Sequence, residues 1–284
     1  MKKILFTLAA IIMLTACDKY SEDYREGTKF KTFTFAATGD FTFSGFTRGD
    51  LTASDNTMTD LWVFDCVEGE CVQSIHQVNT DDGWGRPQMN LAYGEHQLFF
   101  VASRGVNPTV DESASTIIWD NVRDTFWKGL DLEVTSTSSG NVSVTLERVV
   151  TNLKILVLDK VPTGLASISI TPETWYYGIN YTNGSPVNAK MNQEKVISVP
   201  SSYIGTTGNL TTSIFSFSGT NEWTTDVGIS AKDGSGNVIS SVLIENAPFR
   251  RNRITQYSGN LFNLSSAFAL SVDDGWTEAL EATW

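Results

Sequence analysis

The sequence predicts an all-β protein made of antiparallel β-sandwiches with one short helix. Apolar and polar residues alternate with a period of two along most of the chain, and the alternating residues are chiefly Thr, Ser, Val, Ile and Phe. Turn-forming stretches such as Asn183-Gly184 and 233–237 separate the runs. Because successive side chains of a strand point to opposite faces, each run offers one apolar face to a core. The clearest alternating runs lie at residues 32–35, 41–44, 142–147, 153–157, 168–170, 215–217, 227–229 and 268–272.

The start of the chain predicts a lipoprotein signal peptide, residues 1–16. Two lysines precede an apolar run at 4–14, which is shorter than the ~20 residues that a membrane-spanning helix needs. The sequence Leu-Thr-Ala then leads into Cys17, a lipobox pattern that predicts cleavage before Cys17 and attachment of lipid, including palmitate, to it. An ordinary secretory signal with an incidental cysteine is the alternative. Residues 17–29 are charged and lack aliphatic periodicity, so we expect a lipidated tether.

The other two cysteines, Cys66 and Cys71, are separated by Val-Glu-Gly-Glu between two strand-like arms. This spacing places the thiols across a tight hairpin turn, and an exported protein meets an oxidising compartment. We therefore predict a disulfide between them, with two free buried thiols as the alternative. A metal site is disfavoured, because no second pair of Cys or His residues completes four ligands.

One segment, residues 113–126, predicts a short amphipathic helix. Ile118, Val122 and Phe126 recur at intervals of four, with polar and charged residues between them. We expect this helix to pack over a sheet in the N-terminal part of the protein.

The length of 284 residues exceeds what a single sandwich usually holds, so two domains are predicted. Strand-like runs at 142–147 and 153–158 are joined without a flexible Pro, Gly or Ser linker. We place the boundary there, with an N-terminal sandwich at 30–150 and a C-terminal sandwich at 151–284, and expect the two to pack closely.

Charge and motif content argue against catalysis and against nucleic-acid binding. The net charge is −12, and it becomes −14 once the two lysines of the signal peptide are removed, whereas binding of phosphate backbones needs a basic face. His76 and His96 belong to no metal-binding or catalytic spacing, and we expect them at the surface or at hairpin ends. The acidic doublets in 81–84 and 273–276 are each followed by Gly-Trp and are interpreted as turns. We predict no catalytic residues, no metal site and no cofactor.

An aromatic run, Trp175-Tyr176-Tyr177, allows two interpretations. Exposed rings of this kind would stack on sugars and would indicate a surface glycan-binding lipoprotein of a polysaccharide uptake system. Adjacent aromatic residues on a strand more often fill its two faces as core residues. We favour the core and keep the glycan-binding lipoprotein as the alternative function.

Several segments resemble the fimbrillin superfamily of Bacteroidales, most of all its FimB-type anchor and minor subunits. They are the lipobox, Asp60-Leu61-Trp62-Val63-Phe64-Asp65, and residues 122–129, 146–150, 248–259 and 270–276. The resemblance implies two transthyretin-like β-sandwiches, export as a lipoprotein, and assembly by donor-strand exchange, in which a strand of one subunit fills a groove in the next. Other fimbrial subunits, the membrane that holds the lipid, and a receptor on a host or bacterial surface are the partners this implies. No nucleic-acid partner is expected.

The same resemblance implies proteolytic processing after an arginine, for which Arg25 and Arg48 are the candidates. Cleavage at Arg25 would release the protein from its tether, whereas cleavage at Arg48 would detach a strand and open a groove. An anchor subunit would be cut at neither. The tail after Trp276 is only weakly apolar and carries two acidic residues, which favours an anchor over a polymerising stalk subunit. We therefore expect a non-enzymatic, lipid-anchored fimbrial subunit or anchor, exposed at the outer membrane and supporting adhesion.

Overall fold

The structure is a computed structural model that describes residues 29–39, 58–208, 210–263 and 268–274. These residues form twenty β-strands and a single 3-10 turn at Ser201–Tyr203, with no α-helix among them. The all-β prediction is therefore confirmed. Within the described stretches, no helix has the length and apolar character needed to cross a membrane.

Eight of the first ten strands form two sheets that face each other. The ten strands are β1 (Phe30–Thr38), β2 (Asp60–Val67), β3 (Glu70–Val78), β4 (Gln88–Ala92), β5 (Gly94–Ser103), β6 (Val106–Asp111), β7 (Thr116–Asn121), β8 (Thr125–Val134), β9 (Asn141–Thr145) and β10 (Glu147–Arg148). The strand orders are β4-β1-β9 and β10-β8-β5-β2-β3. Apolar side chains from both sheets form one buried cluster, in which the rings of Phe35 and Phe100 meet edge to face with centroids 5.3 Å apart.

The second ten strands include another pair of sheets. They are β11 (Val150–Val157), β12 (Leu165–Pro172), β13 (Thr174–Asn180), β14 (Ser185–Met191), β15 (Lys195–Ser198), β16 (Leu210–Phe217), β17 (Trp223–Asp233), β18 (Val238–Phe249), β19 (Arg253–Gly259) and β20 (Ala269–Asp274). The strand orders are β16-β11-β19-β20 and β15-β12-β17-β18. The alternation that predicted a strand at 153–157 is seen here, since Leu153, Ile155 and Val157 are all buried.

The two parts of the chain have the same strand topology. The order β4-β1-β9 corresponds to β16-β11-β19, and β8-β5-β2-β3 corresponds to β18-β17-β12-β15. In each part the first strand lies between an antiparallel partner and a parallel one, since β1 runs parallel to β9 and β11 runs parallel to β19. The prediction of purely antiparallel sheets is wrong at these two pairings. A parallel pairing joins strands that are distant in sequence, so no hairpin turn signals it.

A fifth sheet joins the two parts. Its order is β14-β13-β7-β6, and β7 pairs with β13 across the register Gly178↔Ile118, Ile179↔Ile117 and Asn180↔Thr116. A Cβ atom on Gly178 would stand 2.7 Å from the backbone oxygen of Ile117, so glycine is required for this close approach. The larger buried cluster likewise contains residues from before and after position 150. The exact domain boundary stays a prediction.

The predicted helix at 113–126 is wrong, because this segment forms β7 and the start of β8. The spacing of four fits a period of two as well as a helical turn, but the three residues do not share a face: Ile118 is half-buried on β7, Val122 lies between the strands, and Phe126 is on β8. Ile117 and Trp119 point into the core from β7, while the β7 backbone bonds to β6 and β13. Pairing on both sides satisfies the backbone donors and acceptors that a helix would have satisfied internally.

Candidate functional site

Strand β1 fills a groove between β4 and β9. Its first half pairs antiparallel with β4, from Phe30↔Ala92 to Thr34↔Gln88, and its second half pairs parallel with β9, from Thr34↔Asn141 to Thr38↔Thr145. The inward side chains, Phe33 and Phe35, are 0% exposed. A strand in this position supplies hydrogen bonds to both neighbours and apolar side chains to the core, so its absence would leave a strand-shaped groove.

The predicted lipidation and processing residues lie outside the described stretches. These are Cys17, Arg25 and Arg48, together with the alternating run at 41–44. Along the chain, Cys17 and Arg25 precede β1, and Arg48 lies between β1 and β2.

An open cleft of about 790 Å³ lies where β1 ends. It is lined by Thr38 and Gly39 from the first part of the chain, and by Arg250, Arg251 and Asp274 from the second. Asp274 pairs with two arginines here: its carboxylate accepts hydrogen bonds from Arg250 and also from Arg253. These two pairs occur where arginines after β18 face the end of β20.

Beneath the cleft, Arg148 forms a buried ion pair with Asp124 and is linked to the second part of the chain by a hydrogen bond to Asn252. Its Nε donates to Oδ1 of Asp124 at 2.7 Å, its Nη2 donates to Oδ2 at 3.0 Å, and its Nη1 donates to Oδ1 of Asn252 at 3.0 Å. Burial raises the pKa of the Asp124 carboxyl, although the hydrogen bonds and the charge of Arg148 oppose that rise. The guanidinium also stands over the ring of Phe126, 4.6 Å from its centroid. Sequence reasoning missed this pair, because its partners are 24 and 104 residues away.

The cysteines occupy the positions expected of a hairpin. Cys66 on β2 and Cys71 on β3 are register partners, their Cα atoms are 3.8 Å apart, and a disulfide joins them. The turn between them places Glu68 and Gly69 at positive φ angles of 52° and 85°, which the glycine accommodates without strain.

The prediction for His96 is met in part, because this residue lies beside a hairpin end near the start of β5, but it is buried rather than at the surface. Its Nδ1 lies 2.7 Å from Oδ1 of Asp65 and its Nε2 lies 2.9 Å from the carbonyl oxygen of Ala92, and all these groups are shielded from solvent. The signal was present in the sequence, since His96 shares the parity of Leu98 and Phe100 on β5, whose side chains enter the core. His76 lies on a partly exposed edge, with its ring stacked on Trp62 at 4.6 Å between centroids.

Two acceptors facing one imidazole favour its protonated form. Burial lowers the pKa of His96, but the hydrogen bond and charge of Asp65, with the Ala92 carbonyl, outweigh burial and leave this pKa above its ordinary value. The folded state therefore binds the proton more tightly than the unfolded state does. The stability gained in this way is fully present below the unfolded pKa of ~6.5 and is lost as pH rises through the higher folded pKa.

We expect the unfolding free energy of the wild type to fall relative to that of His96→Gln as pH rises above ~6.5, by at most about 1.4 kcal/mol per pH unit. Urea unfolding across a pH series measures the difference. His76→Gln is the matched control, because it removes an exposed histidine that is also bonded to an aspartate. Parallel pH curves for the wild type and His96→Gln would contradict the assignment.

The aromatic run at 175–177 belongs mainly to the core. Trp175 and Tyr177 are buried, and the indole Nε1 of Trp175 donates to the carbonyl of Phe215 at 2.7 Å. Tyr176 is half-buried, edge to face with Trp223. This run therefore offers no pair of adjacent exposed rings for stacking on a sugar.

The acidic doublet at 81–82 closes a turn, as predicted. The Asp81 carboxylate accepts a hydrogen bond from the backbone N–H of Val78 at 2.8 Å. Across the described stretches, no group of three or more His, Cys, Asp or Glu side chains is placed to hold a metal ion.

Comparison with known families supplies the chain's relationship. Residues 106–283, more than half of the sequence, match the family described as a family of unknown function, DUF6562. The chain belongs to this family. No curated protein matches the sequence of this chain.

Several solved structures from Bacteroidales are similar to this DUF6562 protein. A proposed adhesin from Bacteroides thetaiotaomicron has a TM-score of 0.51 at 10% identity, with 87% of this chain and 97% of that chain covered. A fimbrial assembly protein from Parabacteroides distasonis has a TM-score of 0.50 at 11% identity, covering 87% and 96%. A proposed polysaccharide-binding protein from Bacteroides thetaiotaomicron has a TM-score of 0.51 at 9% identity, covering 86% and 96%.

At such low identities the similarity establishes a shared fold and nothing finer. The fold is shared with a fimbrial assembly protein and a proposed adhesin of Bacteroidales, which agrees with the predicted resemblance to the fimbrillin superfamily.

Proposed function

We propose that this DUF6562 protein is a non-enzymatic subunit of a fimbria-like surface fibre, acting as its lipid-anchored base. In this proposal its strands make up two transthyretin-like sandwiches, Cys17 carries the lipid, and the protein faces outward from the outer membrane. It joins other fimbrial subunits and so supports adhesion.

The observation that carries the proposal is the position of β1. It lies between β4 and β9, bonds to both, and places Phe33 and Phe35 in the core. A neighbouring subunit's strand with the same alternation would find the same backbone partners and the same apolar pockets in this groove.

The position of Arg48 supports processing as the step that would open the groove. Cleavage after Arg48 would separate β1 from β2, because Arg48 lies between them in the chain, whereas cleavage after Arg25 would leave β1 in place. An uncut chain keeps both the lipidated Cys17 and a filled groove. We assign this uncut form to the fibre base.

The glycan-binding alternative receives less support. Trp175 and Tyr177 are core residues rather than an exposed pair. The only observation in its favour is that one protein of similar fold is described as a proposed polysaccharide-binding protein.

The test is intact-mass and N-terminal analysis of the protein from cell envelopes, together with its co-purifying polypeptides in mild detergent. We expect a lipidated Cys17, an uncut chain and a fibre-forming partner in the membrane fraction. Cys17→Ala should move the protein out of that fraction, and Cys71→Ala is the matched control, since it removes a cysteine that carries no lipid in this proposal.

Other outcomes would redirect or reject the proposal. A membrane-bound Cys17→Ala variant would contradict lipid anchoring. A new N-terminus after Arg48 in a ladder of polymers would make the protein a stalk or tip subunit. Co-purification with glycan transporters alone would favour the alternative.

A further inference from the structure

Four basic residues meet beside the sheet that joins the two parts of the chain. Lys190 on β14 and Lys195 on β15 each place Nζ 4.6 Å from the ring centroid of Tyr177 on β13. Arg123, between β7 and β8, is near enough for its charge to act on Lys195, and the charge of Arg104, between β5 and β6, acts on Arg123; we call these four residues the Tyr177 cation cluster. It lies apart from the β1 groove, and it combines residues from both parts of the chain.

The charges of the Tyr177 cation cluster act on one another. Burial lowers the pKa of Lys195, the charges of Lys190 and Arg123 lower it further, and the charge of Asp120 opposes them. Burial likewise lowers the pKa of Arg123, as does the charge of Arg104. Positive charges are thus held close together and partly removed from water, which costs free energy unless an anion compensates them.

Within the described part of the chain, acidic side chains leave this charge largely uncompensated. None of the four cations forms an ion pair with a described carboxylate. Lys195 Nζ donates only to the backbone oxygen of Asp120, at 3.1 Å, while the Asp120 carboxylate accepts a hydrogen bond from Asn107. The carboxylate of Asp124 accepts hydrogen bonds from Arg148, and the charge of Arg104 also acts on it, so Asp124 offsets part of the charge of Arg104. In a chain with net charge −12, an excess of positive charge at one place is a local exception.

Two neutral donors, on the cross-strand neighbours Tyr177 and Trp119, have no acceptor among the described residues. The hydroxyl of Tyr177 is buried and has no hydrogen-bond partner among the described residues, and the same holds for Nε1 of Trp119. Gly178 pairs with Ile118, Tyr177 precedes Gly178, and Trp119 follows Ile118. Because the strands are antiparallel, Tyr177 and Trp119 are neighbours across the β13–β7 pairing. Burial raises the pKa of Tyr177 to about 12, so its hydroxyl keeps its proton and remains a donor at neutral pH. Buried donors normally have an acceptor, and here both lack one.

We propose that the Tyr177 cation cluster is a binding site for an oxyanion, namely a sulfate, phosphate or carboxylate group, either free or carried on a larger molecule. Such a group supplies negative charge and several acceptor oxygens, which are what the four cations and the two neutral donors lack. Because the cations come from both parts of the chain, the bound group would also draw those parts together. This site is independent of strand exchange at β1.

The test is calorimetric titration and thermal unfolding of the full mature chain with sodium sulfate, sodium phosphate or a sulfated oligosaccharide, each against chloride at constant ionic strength. The double variant Lys190→Gln/Lys195→Gln should bind sulfate at least tenfold more weakly than the wild type. Lys154→Gln/Lys160→Gln is the matched control, because it removes two lysines elsewhere that also lack described ion pairs. Sulfate stabilises many proteins without a site, so only the difference between the variants counts.

The outcomes distinguish a free oxyanion from one carried on a larger molecule, or they contradict the proposal. Tighter binding of the oligosaccharide than of inorganic sulfate, lost in Lys190→Gln/Lys195→Gln, would identify a group carried on a larger molecule. Equal binding per sulfate would identify a free ion. The same rise in melting temperature for both double variants and the wild type, with no saturable heat of binding, would overturn the site.

Discussion

Removal of β1 should sharply lower the melting temperature of the protein, and a peptide of residues 30–38 added in trans should restore it. Phe33 and Phe35 are fully buried from this strand, and loss of a buried Phe side chain costs ~3–5 kcal/mol each. Hydrogen bonds to β4 and β9 are lost as well. A variant beginning after Arg48, refolded with and without the peptide, measures the effect by thermal unfolding.

Control peptides distinguish specific replacement of β1 from nonspecific peptide binding. A peptide carrying Phe33→Asp and Phe35→Asp should not restore stability, because both side chains would place charge in the core. A peptide carrying Thr32→Glu should still work, since Thr32 lies on the exposed face of β1. If all three peptides act equally, or none restores the truncated protein, the groove does not accept strands and the fibre proposal loses its mechanism.

Arg148→Ala should lower the unfolding free energy by ~3–5 kcal/mol, because it leaves the Asp124 carboxylate buried without its partner. It also removes the bond to Asn252, which links the first part of the chain to the turn after β18. Guanidinium unfolding at pH 7 measures the change, and an unaltered slope with denaturant would show that the unfolded state is unchanged.

Lys128→Ala provides the matched control for Arg148→Ala. Lys128 pairs with Glu147, the residue next to Arg148. The side chains of Lys128 and Glu147 are both exposed, so we expect a loss of ~0–1 kcal/mol. Similar losses for the two variants would mean that burial adds nothing to the Arg148 pair. A double variant with Asp124→Ala should be less destabilised than the sum of the single variants, since the two residues share one interaction.

Local patterns predicted the strands well, because alternation records which face of a strand is buried. Leu153, Ile155 and Val157 are one example. The hairpin of Cys66 and Cys71 is another, since the spacing and the Glu-Gly turn are both local features. The helix prediction failed because a spacing of four is compatible with both periods. The burial of His96 was missed because its neighbours resemble a turn, while its parity on β5 is the stronger signal.

Pairings between distant strands could not be predicted in the same way. The groove around β1 depends on β9, whose residues pair with β1 more than a hundred positions along the chain. The four basic residues of the Tyr177 cation cluster come from four different strands and connections. Arg148 and its two partners, Asp124 and Asn252, likewise come from three separate segments. Nothing in a single sequence specifies which of many similar alternating strands become neighbours, because each of them has an apolar face that suits several partners.

The joining sheet has a consequence for the order in which the chain can fold. The β6–β7 hairpin emerges early, but the edge of β7 is closed only by β13, which begins at Thr174. Until β13 has been synthesised, the open edge of β7 presents unpaired backbone groups that can pair with another chain. The first part of the chain therefore leaves this edge open as an isolated fragment, and chains ending before 180 should tend to aggregate. Folding of the whole chain at once would shorten the time for which this edge stays open.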